Sequence, residues 1–108
     1  MRNMNYLGNK YTGDLSELEE RNVKISKVKN NWVIGTYKDL WFEAKVYCEP
    51  SKYGIRKGRT SKLHIKQGKN TIFEYDRGYY MRAKITNVKK LVSIFSTGSF
   101  GKKSKVRC

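Results

Sequence analysis

Leu40-Trp41-Phe42-Glu43-Ala44-Lys45-Val46-Tyr47-Cys48 is the stretch that decides the fold class. Its apolar residues Leu40, Phe42, Ala44, Val46 and Cys48 alternate with Trp41, Glu43, Lys45 and Tyr47, and a period of two belongs to a strand buried on one side. Upstream, Trp32 to Lys38 is rich in β-branched and aromatic residues and reads as the preceding strand. Downstream, Ser61 to Gln67 turns Leu63 and Ile65 inward and Lys62, His64 and Lys66 outward. Gly68-Lys69 then supplies a two-residue turn into a strand from Asn70 to Tyr75. These four strands predict an antiparallel β-meander.

Further out the pattern changes. Leu15 to Arg21 reads as a short helix, with Asp14 as N-cap and Glu17 at the capping-box position. After Gly78, the apolar residues Met81, Ile85, Val88, Leu91, Val92 and Phe95 fall at helical spacing, which predicts an amphipathic helix across one face of the sheet. Leu91 to Phe95 taken alone also fits a strand. The expected fold class is therefore α+β: a small four-stranded antiparallel β-meander with a short N-terminal helix and a C-terminal amphipathic helix. Residues 1–30 are expected to be a loosely ordered segment containing the short helix, 31–95 a single α+β domain, and 96–108 a basic flexible tail of Gly, Ser and Lys.

A chain of 108 residues has room for one core. There is no run of about 18 apolar residues to cross a membrane. Met1 to Lys10 lacks the apolar stretch of a secretory signal, so a cytoplasmic protein is expected. In that compartment the two cysteines, Cys48 and Cys108, are expected to be reduced thiols.

Charge is the largest departure from an average composition. Lys and Arg number 24 against 9 Asp and Glu, a formal charge of +15, and such a field attracts phosphate backbones, anionic membrane surfaces or acidic protein faces. It is densest from Pro50 to Lys69, where Lys52, Arg56, Lys57, Arg59, Lys62, Lys66 and Lys69 stand with no Asp or Glu between them. That run includes the long connection Glu49 to Thr60, with Gly54 and Gly58 for turns and Tyr53 and Ile55 as apolar anchors, Tyr53 being also a stacking candidate. Lys52, Tyr53, Arg56, Lys57, Arg59, Lys62 and Lys66 are the candidate nucleic-acid or partner-binding residues. A second basic cluster runs from Arg82 to Arg107, with no acidic residue after Asp76.

Catalytic chemistry has little to stand on. His64 is the only histidine, and strand parity turns it outward while Cys48 points inward, so the two do not form a nucleophilic pair. The chain lacks the four ligands of a zinc site and has no phosphate-cradling P-loop. Glu43-Ala44-Lys45 has the Glu-x-Lys spacing of metal-dependent nucleases, but such a site also needs a second carboxylate, for which Asp39, Glu74 and Asp76 are the candidates. A cross-strand ion pair accounts for Glu43 more simply. No catalytic residue, metal, cofactor or small-molecule substrate is assigned.

The span Trp32 to Gly78 also carries Phe42-Glu43-Ala44-Lys45-Val46-Tyr47, Ser51-Lys52-Tyr53-Gly54-Ile55, Gly58-Arg59-Thr60-Ser61-Lys62-Leu63 and Tyr75-Asp76-Arg77-Gly78. In these motifs it resembles a family of short proteins found in phages and prophages of low-GC Gram-positive bacteria. The resemblance implies a small accessory protein of a mobile element, a class in which many members inhibit host machinery such as CRISPR and other immune nucleases. The expected function is a non-enzymatic basic module that engages nucleic acid or a host nucleoprotein or nuclease complex. A counter-defence inhibitor acting by protein–protein binding is the alternative, and a metal-dependent nuclease comes third.

Overall fold

The alternation around Phe42 forms the middle of a sheet that grows by one hairpin at a time on either side. In the computed structural model, which describes residues 12–105, the order is α1 (Ser16–Glu20), β1 (Lys24–Lys29), β2 (Trp32–Tyr37), β3 (Leu40–Val46), β4 (Thr60–Gln67), β5 (Asn70–Asp76), β6 (Tyr79–Met81) and α2 (Thr86–Ser96). Single 3-10 turns occur at Ile55–Lys57 and Gly98–Gly101. All six strands are antiparallel and lie in sequence order. The α+β class, the meander and both helices agree with the sequence reading, but the sheet has two strands more than the four expected.

Each extra strand has a physical reason for having escaped notice. In β1 the apolar residues Ile25 and Val28 are three apart, because the pairing with β2 slips by one residue between Ile25 and Lys27. A bulge of this kind inserts one residue and destroys the period of two. Asn30, at φ 56°, then turns the chain into β2; Asn tolerates this left-handed conformation better than most residues. At the other edge, Arg77 takes φ 58° and the Asp76 amide donates to the Gly78 carbonyl at 2.9 Å, so the chain reverses. Tyr79–Met81 then pairs with β5. Met81 and Ile85 are therefore not on the helix, which begins at Thr86, and both are exposed.

The core lies between α2 and the inner face of the sheet. Val88, Leu91 and Phe95 pack with Val33, Leu40, Phe42, Ala44, Leu63, Ile65 and Phe73, all fully buried. The Phe42 and Phe95 rings meet edge-on at 5.1 Å, within the favoured range for aromatic pairs. Burial of this kind is worth roughly 1.5–3 kcal/mol per large apolar side chain.

Both ends of the described chain join this core, which therefore reaches beyond residues 31–95. Leu15, Leu18 and Val23 are buried on the N-terminal side and Phe100 on the C-terminal side. The N-cap of α1 is Leu15 and not the expected Asp14, which lies one residue earlier; Asp14 Oδ1 accepts from the Ser16 amide at 2.9 Å just ahead of the helix. Glu17 closes no capping box: its Oε1 accepts from the Ser99 amide at 3.0 Å, tying α1 to the C-terminal 3-10 turn. The Ser104 amide donates to the Cys48 carbonyl at 2.7 Å, which docks the expected tail against the segment after β3. Cys48 itself is disulfide-bonded and not a reduced thiol; the chain's other cysteine, Cys108, lies outside the described residues. The rest of the expected loose start (residues 1–11) and tail end (106–108) lies outside them too. Among the described residues no helix is long and apolar enough to cross a membrane.

Candidate nucleic-acid interface

Helix α2 covers one face of the sheet, and the residues of the opposite face are partly exposed. Strand register sets three rows across that outer face. One row runs Lys29, Trp32, Lys45, Lys62 and Asp76; the row at the far end runs Lys24, Thr36, Trp41, Lys66 and Thr71; between them lie Lys27, Ile34, Glu43, His64 and Glu74. Neighbours in a row are about 5 Å apart, so lysines and aromatic rings are in contact. The Lys45 ammonium lies 5.5 Å from the Trp32 ring centre and 5.7 Å from that of Tyr47. Lys62 is 5.9 Å from Trp32, and Lys66 is 5.5 Å from Trp41. These are cation–π distances. The rings and the cations form one mixed surface.

Beside the first row, the connection from Glu49 to Arg59 folds back on the end of the sheet. Of the two expected anchors only Ile55 is buried; Tyr53 stays on the surface. A Cβ on Gly54 would stand 1.9 Å from the Gly58 carbonyl oxygen, so only glycine permits this closure. Within the turn Arg56 and Lys57 hold left-handed φ angles of 53° and 60°, a conformation that costs non-glycine residues about 1–2 kcal/mol each. Both side chains are exposed. Tyr53 is 49% exposed, but its carbonyl accepts a hydrogen bond from the Tyr75 hydroxyl at 2.8 Å. Burial, reinforced by the neighbouring Tyr79, holds that hydroxyl's pKa above the usual tyrosine value. Between the connection and the sheet lies a groove of about 370 Å³ lined by Lys45, Tyr47, Glu49, Tyr53, Lys62 and Arg77.

Arg59 is no part of this surface. It is 1% exposed, and its guanidinium donates to the carbonyls of Ser99 (3.2 Å), Thr12 (2.8 Å), Tyr47 (3.4 Å) and Asp14 (3.4 Å). The Phe100 ring lies 5.0 Å from its Cζ. Burial lowers its pKa, and the carboxylates of Asp14 and Glu17 partly offset that. Arginine, which stays charged and carries five donors in a planar fork, suits such a nest of carbonyls. Arg59 therefore joins the N-terminal segment, the connection and the C-terminal turn from inside.

The sequence-derived candidates thus separate. Tyr53 and Lys62 line the groove, and the Lys52 ammonium lies 5.2 Å from the Tyr53 ring centre. Lys66 is four residues along β4, roughly 13 Å away by strand rise. Arg56 and Lys57 are exposed on the loop, and Arg59 is buried. Trp32, Lys45, Tyr47 and the β1 lysines were not among the candidates. Parity holds the signal for Trp32: with Val33, Gly35 and Tyr37 inward, it must face out. The β1 lysines have no such signal, because the bulge hides their strand. As for the nuclease-like pattern, Glu43 Oε1 stands 3.5 Å from His64 Nδ1, Asp39 accepts from Gln67 at 2.7 Å, and Asp76 is 3.8 Å from Lys62. Among the described residues no three His, Cys, Asp or Glu side chains are grouped to hold a metal ion.

A family model described as a domain of unknown function, DUF7678, matches residues 31–98. The chain belongs to the DUF7678 family. No curated protein and no solved structure matches it. The DUF7678 span runs from β2 through α2, so it contains Trp32, Trp41, the lysines of β3 and β4 and the whole basic connection. Helix α1 and β1, with Lys24, Lys27 and Lys29, precede it.

Proposed function

We propose that this chain is a non-enzymatic nucleic-acid-binding module, an accessory protein of a phage or other mobile element that acts in the host cytoplasm. One observation carries the reading: an uncovered sheet face whose Trp and Tyr rings each lie under a lysine, continuous with a groove and a cationic loop. Cations neutralise phosphates, rings offer stacking surfaces, and the scaffold beneath them is rigid. The direct test is the salt dependence of binding. Affinity should fall steeply as salt rises, and Lys45→Gln, Lys62→Gln and Lys66→Gln combined should lower the slope of log K against log salt by about two to three. Failure of the parent protein to bind DNA or RNA at about 50 mM salt would count against the proposal.

A second reading, a counter-defence inhibitor that binds a protein, is favoured by a different place on the molecule. Tyr79, Tyr80, Met81 and Ile85 are 42%, 72%, 39% and 43% exposed, and they cluster at β6, the last strand of the sheet. Exposed apolar edges recruit extended segments of partner chains. The flanking Arg77, Arg82 and Lys84 fit an acidic one. Capture of a host protein that survives nuclease treatment and is lost in Tyr80→Glu would promote this reading over the first.

A further inference from the structure

We infer that the preferred ligand of the open face is single-stranded nucleic acid, its bases stacking on Trp32, Tyr47 and Tyr53 while Lys45 and Lys62 take the phosphates. This rests on the nucleic-acid reading above and narrows it. A duplex hides its base faces and presents only a broad polyanion, to which this face is poorly matched: Glu43, Glu74 and Asp76 interrupt its lysines. A single strand can follow a narrower path. The row Lys29, Trp32, Lys45 and Lys62 leads toward the groove between Tyr47 and Tyr53; the carboxylates it meets are Asp76, engaged by Lys62 and Arg77, and Glu49 in the groove wall, which is 4.0 Å from the Lys103 ammonium. At about 370 Å³ the groove is at the small end of the roughly 300–1,000 Å³ typical of ligand pockets, which suits one nucleotide and not a helix.

Relative magnitudes decide whether a base can displace the lysines from the rings. An exposed cation–π contact strengthens an interaction about two- to fivefold, whereas stacking of a base on an aromatic side chain is worth about 5- to 150-fold per base. The base takes the ring and the freed ammonium meets the adjoining phosphate. Lys45, poised over both Trp32 and Tyr47, is placed to bridge two successive nucleotides. Trp41, about 14 Å from Trp32 by strand rise and spacing, is too far to sandwich the same base and belongs to a different part of the strand.

The chain has 2 tryptophans, Trp32 and Trp41, both on this face, so intrinsic fluorescence reports on it directly. An oligothymidylate of about 16 nucleotides should quench that fluorescence and bind at least about tenfold more tightly than a duplex of equal length. Trp32→Leu and, separately, the groove variant Tyr53→Ala should each weaken single-strand binding by about fivefold or more, and duplex binding by a smaller factor. Tyr53 is exposed, so its truncation tests the inference even if Trp32→Leu unfolds. Equal affinity for the two forms with unchanged fluorescence would overturn the inference while leaving the nucleic-acid reading intact. Binding of neither form would remove both.

Discussion

Arg59 shows how much a single side chain's surroundings can change its meaning. Its neighbours in sequence are cations on a loop, but its neighbours in space are carbonyls from both ends of the chain. Removing the guanidinium leaves those carbonyls buried without a donor. Arg59→Met should therefore lower unfolding free energy by about 3 kcal/mol. Arg59→Lys should cost nearly as much, because one ammonium on a flexible stem cannot span carbonyls on three segments. Denaturant midpoints decide this: a loss under about 1 kcal/mol in both variants would mean the clasp contributes little. Tyr75 makes a pH-dependent case. Because its pKa is raised in the folded state, the proton it holds stabilises the fold fully below the unfolded value of about 10 and ceases to do so as pH rises through the folded value. Unfolding midpoints followed from about pH 8 to 11 should fall more steeply for the parent than for Tyr75→Phe. Parallel curves would exclude the effect.

At the level of elements, what could be read from sequence depended on regularity. Strands β3 and β4 keep strict alternation on the core side, and their faces follow from the residues alone: Leu40, Phe42, Ala44 and Val46 are buried, as are Leu63 and Ile65. In β1 one bulge is enough to make a strand look like loose chain, and in β6 three exposed residues carry no inward pattern at all. The basic connection was legible as a feature, through its length, glycines and charge. Its closure was legible too, because Gly54 and Ile55 have few other uses in so polar a stretch. Which of its cations would face inward was not, since that depends on carbonyls 40 or more residues away. Gly54→Val sets a side chain against the Gly58 carbonyl. It should displace Tyr53 from the groove and weaken nucleic-acid binding although no charge changes, with the strand signal in far-ultraviolet circular dichroism retained. Undiminished binding would show that the groove does not depend on the closed loop.

For the molecule as a whole, the net charge of +15 is unevenly used. On the outer face it is tempered by Glu43, Glu74 and Asp76, and those carboxylates face His64 or lysine across the strands. With magnesium or manganese the purified protein should leave DNA and RNA intact, since among the described residues no group of carboxylates converges with Glu43 to share a metal ion. Metal-dependent cleavage abolished by Glu43→Ala would reverse the non-enzymatic assignment.

The Arg59 clasp also has a kinetic consequence. A meander whose strands all pair with their sequence neighbours closes short loops first, and each hairpin is a template for the next, which favours rapid folding. The clasp needs the opposite: Thr12 opens the described chain and Ser99 follows α2, so Arg59 cannot meet both until the sheet and α2 are in place. Its bonds should accordingly be absent from the folding transition state. In chevron analysis Arg59→Lys should leave the refolding arm almost unmoved and raise the unfolding rate by nearly the whole stability loss. The residue then acts as a latch that sets how long the native state lasts once formed, and has little bearing on how quickly it is reached.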